Sequence, residues 1–266
     1  MKKTIIGLFL LLSFLIIANE PTIVNAEEGD ISTSEGVVLD KTTKYFKTIT
    51  EYHDDSYYSP GISLEPTSQT IEITEEEYLE ASVLPEIVRP NRSTTIETTY
   101  KRMTTYLIQT STGYRYKNIL NWKNYPSVRS NDIIGIGFLA SVKPISSSRT
   151  FELYYCRNST GCTTTNAMAI KQTFTRGSSA VYQLPTFTDL YALKATYYFD
   201  VEKTNSSGTL YFQAAYGDYS HAITSVTTIQ AMQHTVIQGI GIDLDDLIFN
   251  KYDTIDEAAV YWDGTW

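Results

Sequence analysis

The only two cysteines, Cys156 and Cys162, bracket the run CRNSTGC. A thiol pair can exchange disulfides, hold a metal or close a covalent loop, and the local sequence separates these. Redox pairs use C-x-x-C, whereas five residues intervene here, and no neighbouring His completes a mixed zinc site. In an oxidising compartment the two bond and close a short ring, a gain of roughly 2 kcal/mol through loop entropy. Asn158 and Gly161 suit a tight reversal. The pair is therefore expected to be a structural disulfide that pins a hairpin tip.

The next group with chemical content is NWKNYPSVRSNDIIGIGF, where Arg129 is placed to span to Asp132 before an apolar run begins. A guanidinium matched to a carboxylate fixes loop geometry or receives an anionic ligand, so Arg129 and Asp132 are expected to form a structural or binding pair. The three histidines are His53, His221 and His234, and none opens an H-E-x-x-H motif. Ser220 and His221 are sequence neighbours, which on a strand point to opposite faces, so they make a poor nucleophile and base. Asp243 and Asp245 in GIDLDDLIFN share a strand face and are spaced to hold a calcium ion; an ordinary solvated edge is the alternative, and the EF-hand spacing is missing. His221, Asp243 and Asp245 are thus the candidate ligand or metal contacts. No catalytic residue is assigned, and no cofactor is expected apart from that calcium alternative. Asp200 and Asp218 are conceivable distant partners for a carboxylate-based hydrolytic site.

These residues need elements to hold them, and from Thr94 onward the dominant period is two. In ALKATYYFDVEK, Leu193, Ala195, Tyr197, Phe199 and Val201 share a face. The turn residues Asn205 to Gly208 then predict an antiparallel hairpin with TLYFQAAY. A second hairpin is predicted where MTTYLIQT meets YRYKNILNW across Ser111 to Gly113. The run NDIIGIGF reads as a strand buried on both faces, with Gly135 and Gly137 admitting close approach by a ring or another backbone. Further strands are predicted over residues 149–156, 168–175, 179–184, 222–230, 233–240 and 243–250. Short strands with no long helical period between them predict an all-β fold, an antiparallel β-sandwich, over residues 93–266.

Residues 27–92 differ: they are acidic and turn-rich, with patches such as YHDDSYYSPG, and are expected to form a flexible or loosely docked arm, with a small edge subdomain as the alternative. Within them Thr74 and Glu77 form a capping box that predicts a short helix over about 75–83, stopped by Pro85. Ahead of the arm, Lys2 and Lys3 precede the apolar run Ile5 to Ile17, and Ala26 offers a small residue for cleavage. That is the pattern of a secretory signal peptide over residues 1–26, with no transmembrane anchor to follow.

The formal net charge is −9, and loss of Lys2, Lys3 and Glu20 with the leader makes it one unit more negative. Such a balance argues against nucleic acid as a partner. It leaves a cell-envelope glycan or an extracellular protein, and says nothing of oligomeric state. The 21 tyrosines offer apolar platforms with hydroxyls, a chemistry suited to sugar or protein contacts. Trp122, Lys123, Pro126, Arg129, Asp132 and Ile133, together with YSHA at Tyr219 to Ala222, resemble a set of functionally uncharacterised secreted proteins of Gram-positive bacteria over roughly residues 98–262. The resemblance implies export and assigns no activity.

The expected function is a secreted, non-catalytic binding or structural module, outside the cell or loosely associated with its surface. The alternatives are an extracellular hydrolase with a carboxylate-based site and a membrane-active toxin that inserts the Thr-rich hairpin around residues 93–114. Lys101 and Arg102 interrupt the lipid-facing pattern that the last would need.

Overall fold

The computed structural model describes residues 35–54, 64–84, 86–91, 93–166, 169–239, 241–253 and 255–266. The leader and the SYYSPG patch lie outside them. Two antiparallel sheets face each other, so the all-β sandwich expected from the sequence is the observed fold.

The larger sheet is built on β1 (Val37–His53), β2 (Thr67–Ile73), β3 (Glu86–Asn91), β4 (Thr94–Gln109) and β5 (Tyr114–Trp122). It continues through β7 (Val142–Pro144), β8 (Thr150–Arg157), β9 (Gly161–Thr165) and β12 (Leu190–Lys203) in the order β2-β1-β4-β5-β12-β8-β9, with β3 beside β4 and β7 beside β12. The second sheet runs β10 (Ile170–Phe174), β11 (Gly177–Gln183), β6 (Asn131–Phe138), β13 (Gln213–Ser220) and β16 (Asp256–Trp262). A small hairpin of β14 (His234–Ile237) and β15 (Gly241–Leu244) lies outside both.

Residues 37–91 contribute three strands to the larger sheet, where the sequence led us to expect a loosely docked arm. β1 pairs with β4 from Val37↔Gln109 to His53↔Thr94, interrupted by one register shift. Alternation in this stretch is carried by Thr, Tyr and Lys, which pack on a sheet but read as polar; the acidic composition masks the period. The helix inside it, α1 (Glu75–Glu80), has the predicted capping box: Glu77 N–H donates to Thr74 Oγ1 and Thr74 N–H to the Glu77 carboxylate.

The hairpin predicted across Ser111 to Gly113 is present, with Gln109 opposite Tyr114. The one predicted across Asn205 to Gly208 is not. β12 ends in the larger sheet and β13 begins in the smaller, so those turn residues carry a crossover. Local alternation specifies faces and leaves the hydrogen-bonding partner open. Residues 222–230 also depart from the predicted strand: they form a loop leading into α2 (Thr228–Ala231), which is capped by Thr227 and Gln230.

The main core fills the space between the sheets with Met103, Leu107, Tyr116, Leu120, Ile134, Ile136, Phe138, Tyr197 and Phe199. A second cluster, including Ile133, Val181, Val226, Val236, Ile242 and Tyr252, lies beneath the segment that follows β13. Strand β6 feeds both clusters, which is why the period-two signal is lost there: Ile134 and Ile136 face the sandwich, and Ile133 faces the outer cap. At Gly137 an added Cβ would come within 3.2 Å of the Gln238 backbone, the close approach its sequence suggested.

Candidate functional site

Cys156 and Cys162 are joined by a disulfide. They face each other across the β8–β9 hairpin, and Gly161 takes a φ of +76° at the reversal, a conformation that favours glycine. Asp189 holds the tip from outside, accepting from Arg157 Nε at 2.9 Å and Ser159 N–H at 3.2 Å.

Arg129 and Asp132 have separate partners. Arg129 donates to the Pro126 carbonyl at 2.5 Å and the Pro185 carbonyl at 3.0 Å, fixing the loop ahead of β6. Asp132 points inside and gathers three donors: His221 Nδ1 at 2.9 Å, Ala222 N–H at 3.1 Å and the Tyr219 hydroxyl. This carboxylate thereby locks the end of β13 onto the start of β6. Because a ring nitrogen facing a carboxylate carries the proton, His221 presents Nδ1–H to Asp132. Its ring meets that of Trp122 nearly at a right angle, with centroids 5.3 Å apart.

Asp243 and Asp245, the other members of the candidate ligand set, are exposed on and just beyond β15, whereas His221 is buried. Asp245 Oδ1 accepts Leu247 N–H at 3.0 Å in a local turn. Among the described residues no group of three His, Cys, Asp or Glu side chains is arranged to hold a metal ion.

The most concentrated chemistry lies next to the Asp132 network. Lys101, on the inner face of β4, points into the sandwich opposite β13 and β16. Its Nζ donates to Asp253 Oδ2 at 2.8 Å and lies 2.7 Å from Asp256 Oδ2, and all three side chains are 0% exposed. Trp122 and Tyr219 flank the ammonium, with ring centroids 5.3 and 5.2 Å away. Asp253 is further held by His221 N–H at 2.7 Å. Burying three ionisable groups is costly unless they compensate one another, so this triad persists through mutual pairing and the backbone donors around it.

The chain matches no protein family, and no curated protein is similar to it in sequence. Among solved structures, it is similar to the collagen-binding subdomain of the Enterococcus faecalis surface protein ACE at 8% identity and a TM-score of 0.31, covering 56% of this chain and 88% of that one. It is also similar to the T6 backbone pilin of serotype M6 Streptococcus pyogenes, at 9% identity and a TM-score of 0.32, covering 85% of this chain and 64% of the pilin. Likenesses at this level carry no functional inference, and the site has to be understood from its own residues.

Those residues left a trace in the sequence. Period two places Lys101 on the same face as Met103 and Leu107, and Asp256 on the same face as Ala258 and Val260. A charged residue in phase with a core face is the signal that identifies both. Asp253 lies just before β16, where no period applies.

Proposed function

We propose that this protein is a secreted, non-catalytic binding or structural module that acts at the cell envelope or outside the cell. The observation that carries this reading is where the polar chemistry sits. Lys101, Asp253, Asp256, Asp132 and His221 are sealed between the sheets and bond to one another, an arrangement suited to holding two sheets together and closed to a substrate.

What the surface offers instead is aromatic. Phe212 and Tyr261 stack with centroids 6.2 Å apart, Tyr216 meets Tyr261 edge-on at 5.9 Å, and both Phe212 and Tyr261 are exposed. Such a strip suits the apolar face of a sugar or a protein side chain, and we take an envelope glycan or an extracellular protein as the partner. Export is supported by the leader-like N-terminal sequence and by use of both cysteines in a disulfide. Among the described residues no helix is long and apolar enough to cross a membrane.

Incubating the mature protein with intact cells and with separated wall material tests the reading. Saturable retention that persists across several salt concentrations and weakens in a Phe212→Ala, Tyr261→Ala double variant is the expected result. No saturable retention on either material would overturn the envelope assignment.

A further inference from the structure

The two carboxylates that share Lys101 are not equivalent. Asp253 is furnished as an anion: Oδ2 accepts from Nζ, and Oδ1 accepts His221 N–H at 2.7 Å and lies 3.5 Å from Ser220 Oγ. Asp256 has no such support. Its Oδ1 has no hydrogen-bond partner among the described residues, and its Oδ2, though 2.7 Å from Nζ, is out of hydrogen-bond alignment with it. Burial pushes the Asp256 carboxyl up to about 7, outweighing the pull of the Lys101 ammonium, and the Asp253 carboxylate adds to the rise. For Lys101, burial favours the neutral amine and the two carboxylates more than offset it. With its carboxyl brought to about 7, Asp256 stands as the neutral acid in a large share of the protein at neutral pH, in contact with Lys101 and Asp253 and away from water.

We propose that Lys101 and Asp256 condense to a side-chain amide that joins the larger sheet covalently to the smaller one. Lys101 passes a proton along its hydrogen bond to Asp253, leaving a neutral amine against a neutral acid. Nζ attacks Asp256 Cγ, forming the C–N bond. Asp253 then relays a proton from nitrogen to the departing hydroxyl, the C–O bond breaks, and water leaves. Of the four protons initially on Nζ and the Asp256 carboxyl, one stays on the amide, two leave in water and one remains on Asp253. Charge is zero before and after, and no oxidant, activated donor or metal enters the balance.

Two physical effects drive the step. Holding amine and acid in contact replaces a bimolecular encounter with an intramolecular one, a large gain in effective concentration. In bulk water, ionisation of both partners and abundant water favour the separated acid and amine. In this site burial penalises the ionised forms and keeps bulk water from the three side chains, all 0% exposed, so both effects turn toward the amide. Trp122 and Tyr219 complete the apolar wall. The linkage goes beyond the envelope reading and does not depend on it.

Mass spectrometry of the full exported protein, denatured and with its disulfide reduced, tests the proposal. The expected mass is one water below that of the mature sequence, and proteolysis yields a branched peptide containing Lys101 and Asp256. Lys101→Arg and Asp256→Ala should each restore the missing water, and Asp253→Ala should slow its loss. Asp256→Asn should expel ammonia instead and arrive at the wild-type product mass. Folded wild-type protein at the full mass, with Lys101 and Asp256 in separate peptides, would overturn the proposal. So would a branch from Lys101 to Asp253. Because the decisive readout is on wild-type protein, poor folding of a variant does not blunt the test.

Discussion

His221 Nδ1 sits 2.9 Å from Asp132 Oδ1, and the same carboxylate also accepts the Ala222 amide and the Tyr219 hydroxyl. One buried acid therefore satisfies three donors, from Tyr219 near the end of β13 and from His221 and Ala222 just beyond it. Removing it strands all three where water cannot replace it, and each stranded donor is costly. Asp132→Ala should lower the unfolding free energy by roughly 3 to 5 kcal/mol, read from the urea midpoint at constant slope. Asp132→Asn should fall short of wild type as well, because its amide group brings donors to a place that needs acceptors. A loss within the scatter of surface substitutions for Asp132→Ala would show that the network does not hold β13 to β6.

His234 gives the stability a pH dependence of defined sign. Its Nδ1 faces the Ala231 carbonyl at 2.7 Å and so carries the proton, while Nε2 accepts from Ser179 Oγ at 2.8 Å. That is the neutral ring, and burial lowers its pKa from 6.5 to about 4, against a smaller upward pull from the Ala231 carbonyl. Below 6.5 the unfolded chain takes up a proton that the folded one refuses, so the contribution is intact above 6.5 and is lost as pH falls toward 4. The full span is roughly 3 kcal/mol. Unfolding free energies at pH 7 and pH 4.5, compared between wild type and His234→Gln, check it: the difference between the two proteins should shrink on acidification. A constant difference would rule out titration of His234 as its source.

How far these features were legible depends on whether a face repeated. The disulfide, the α1 capping box and the hairpin between β4 and β5 rest on contacts close in sequence, and all three are present. The partners of β12 and β13 were not legible, because alternation fixes which side of a strand is buried and not which strand lies beside it. Asp132 stood out in the sequence, yet its partners lie about ninety residues away, at Tyr219 to Ala222. Arg129, only three positions off, turned to backbone carbonyls instead. Lys101 was weighed as an interruption of a lipid-facing hairpin; its phase with Met103 and Leu107 pointed to the core. Only the pairing of two sheets could reveal that Asp253 and Asp256 wait on the other side.

The hairpin tip between β8 and β9 is held twice, by the Cys156–Cys162 disulfide and by Asp189. Cys156→Ser and Cys162→Ser should each cost roughly 2 kcal/mol, and the double variant should be little worse than either, since all three remove the same bond. Hydrogen bonds from Ser159 and the Arg157 guanidinium hold the Asp189 carboxyl down at about 2. A depressed carboxylate contributes above its unfolded value and loses that contribution as pH falls through its folded one, so its hold on the tip fades between about 4 and 2. Acid should therefore expose the tip in the reduced or Cys→Ser protein and spare the oxidised one. Hydrogen exchange at the amides of residues 158–161, followed from pH 5 downward with correction for intrinsic rates, reads this directly. If protection is the same in oxidised and Cys→Ser protein at the lowest pH, where Asp189 has let go, the disulfide does not hold the tip. If it is already absent from the Cys→Ser protein at pH 5, Asp189 does not hold the tip by itself.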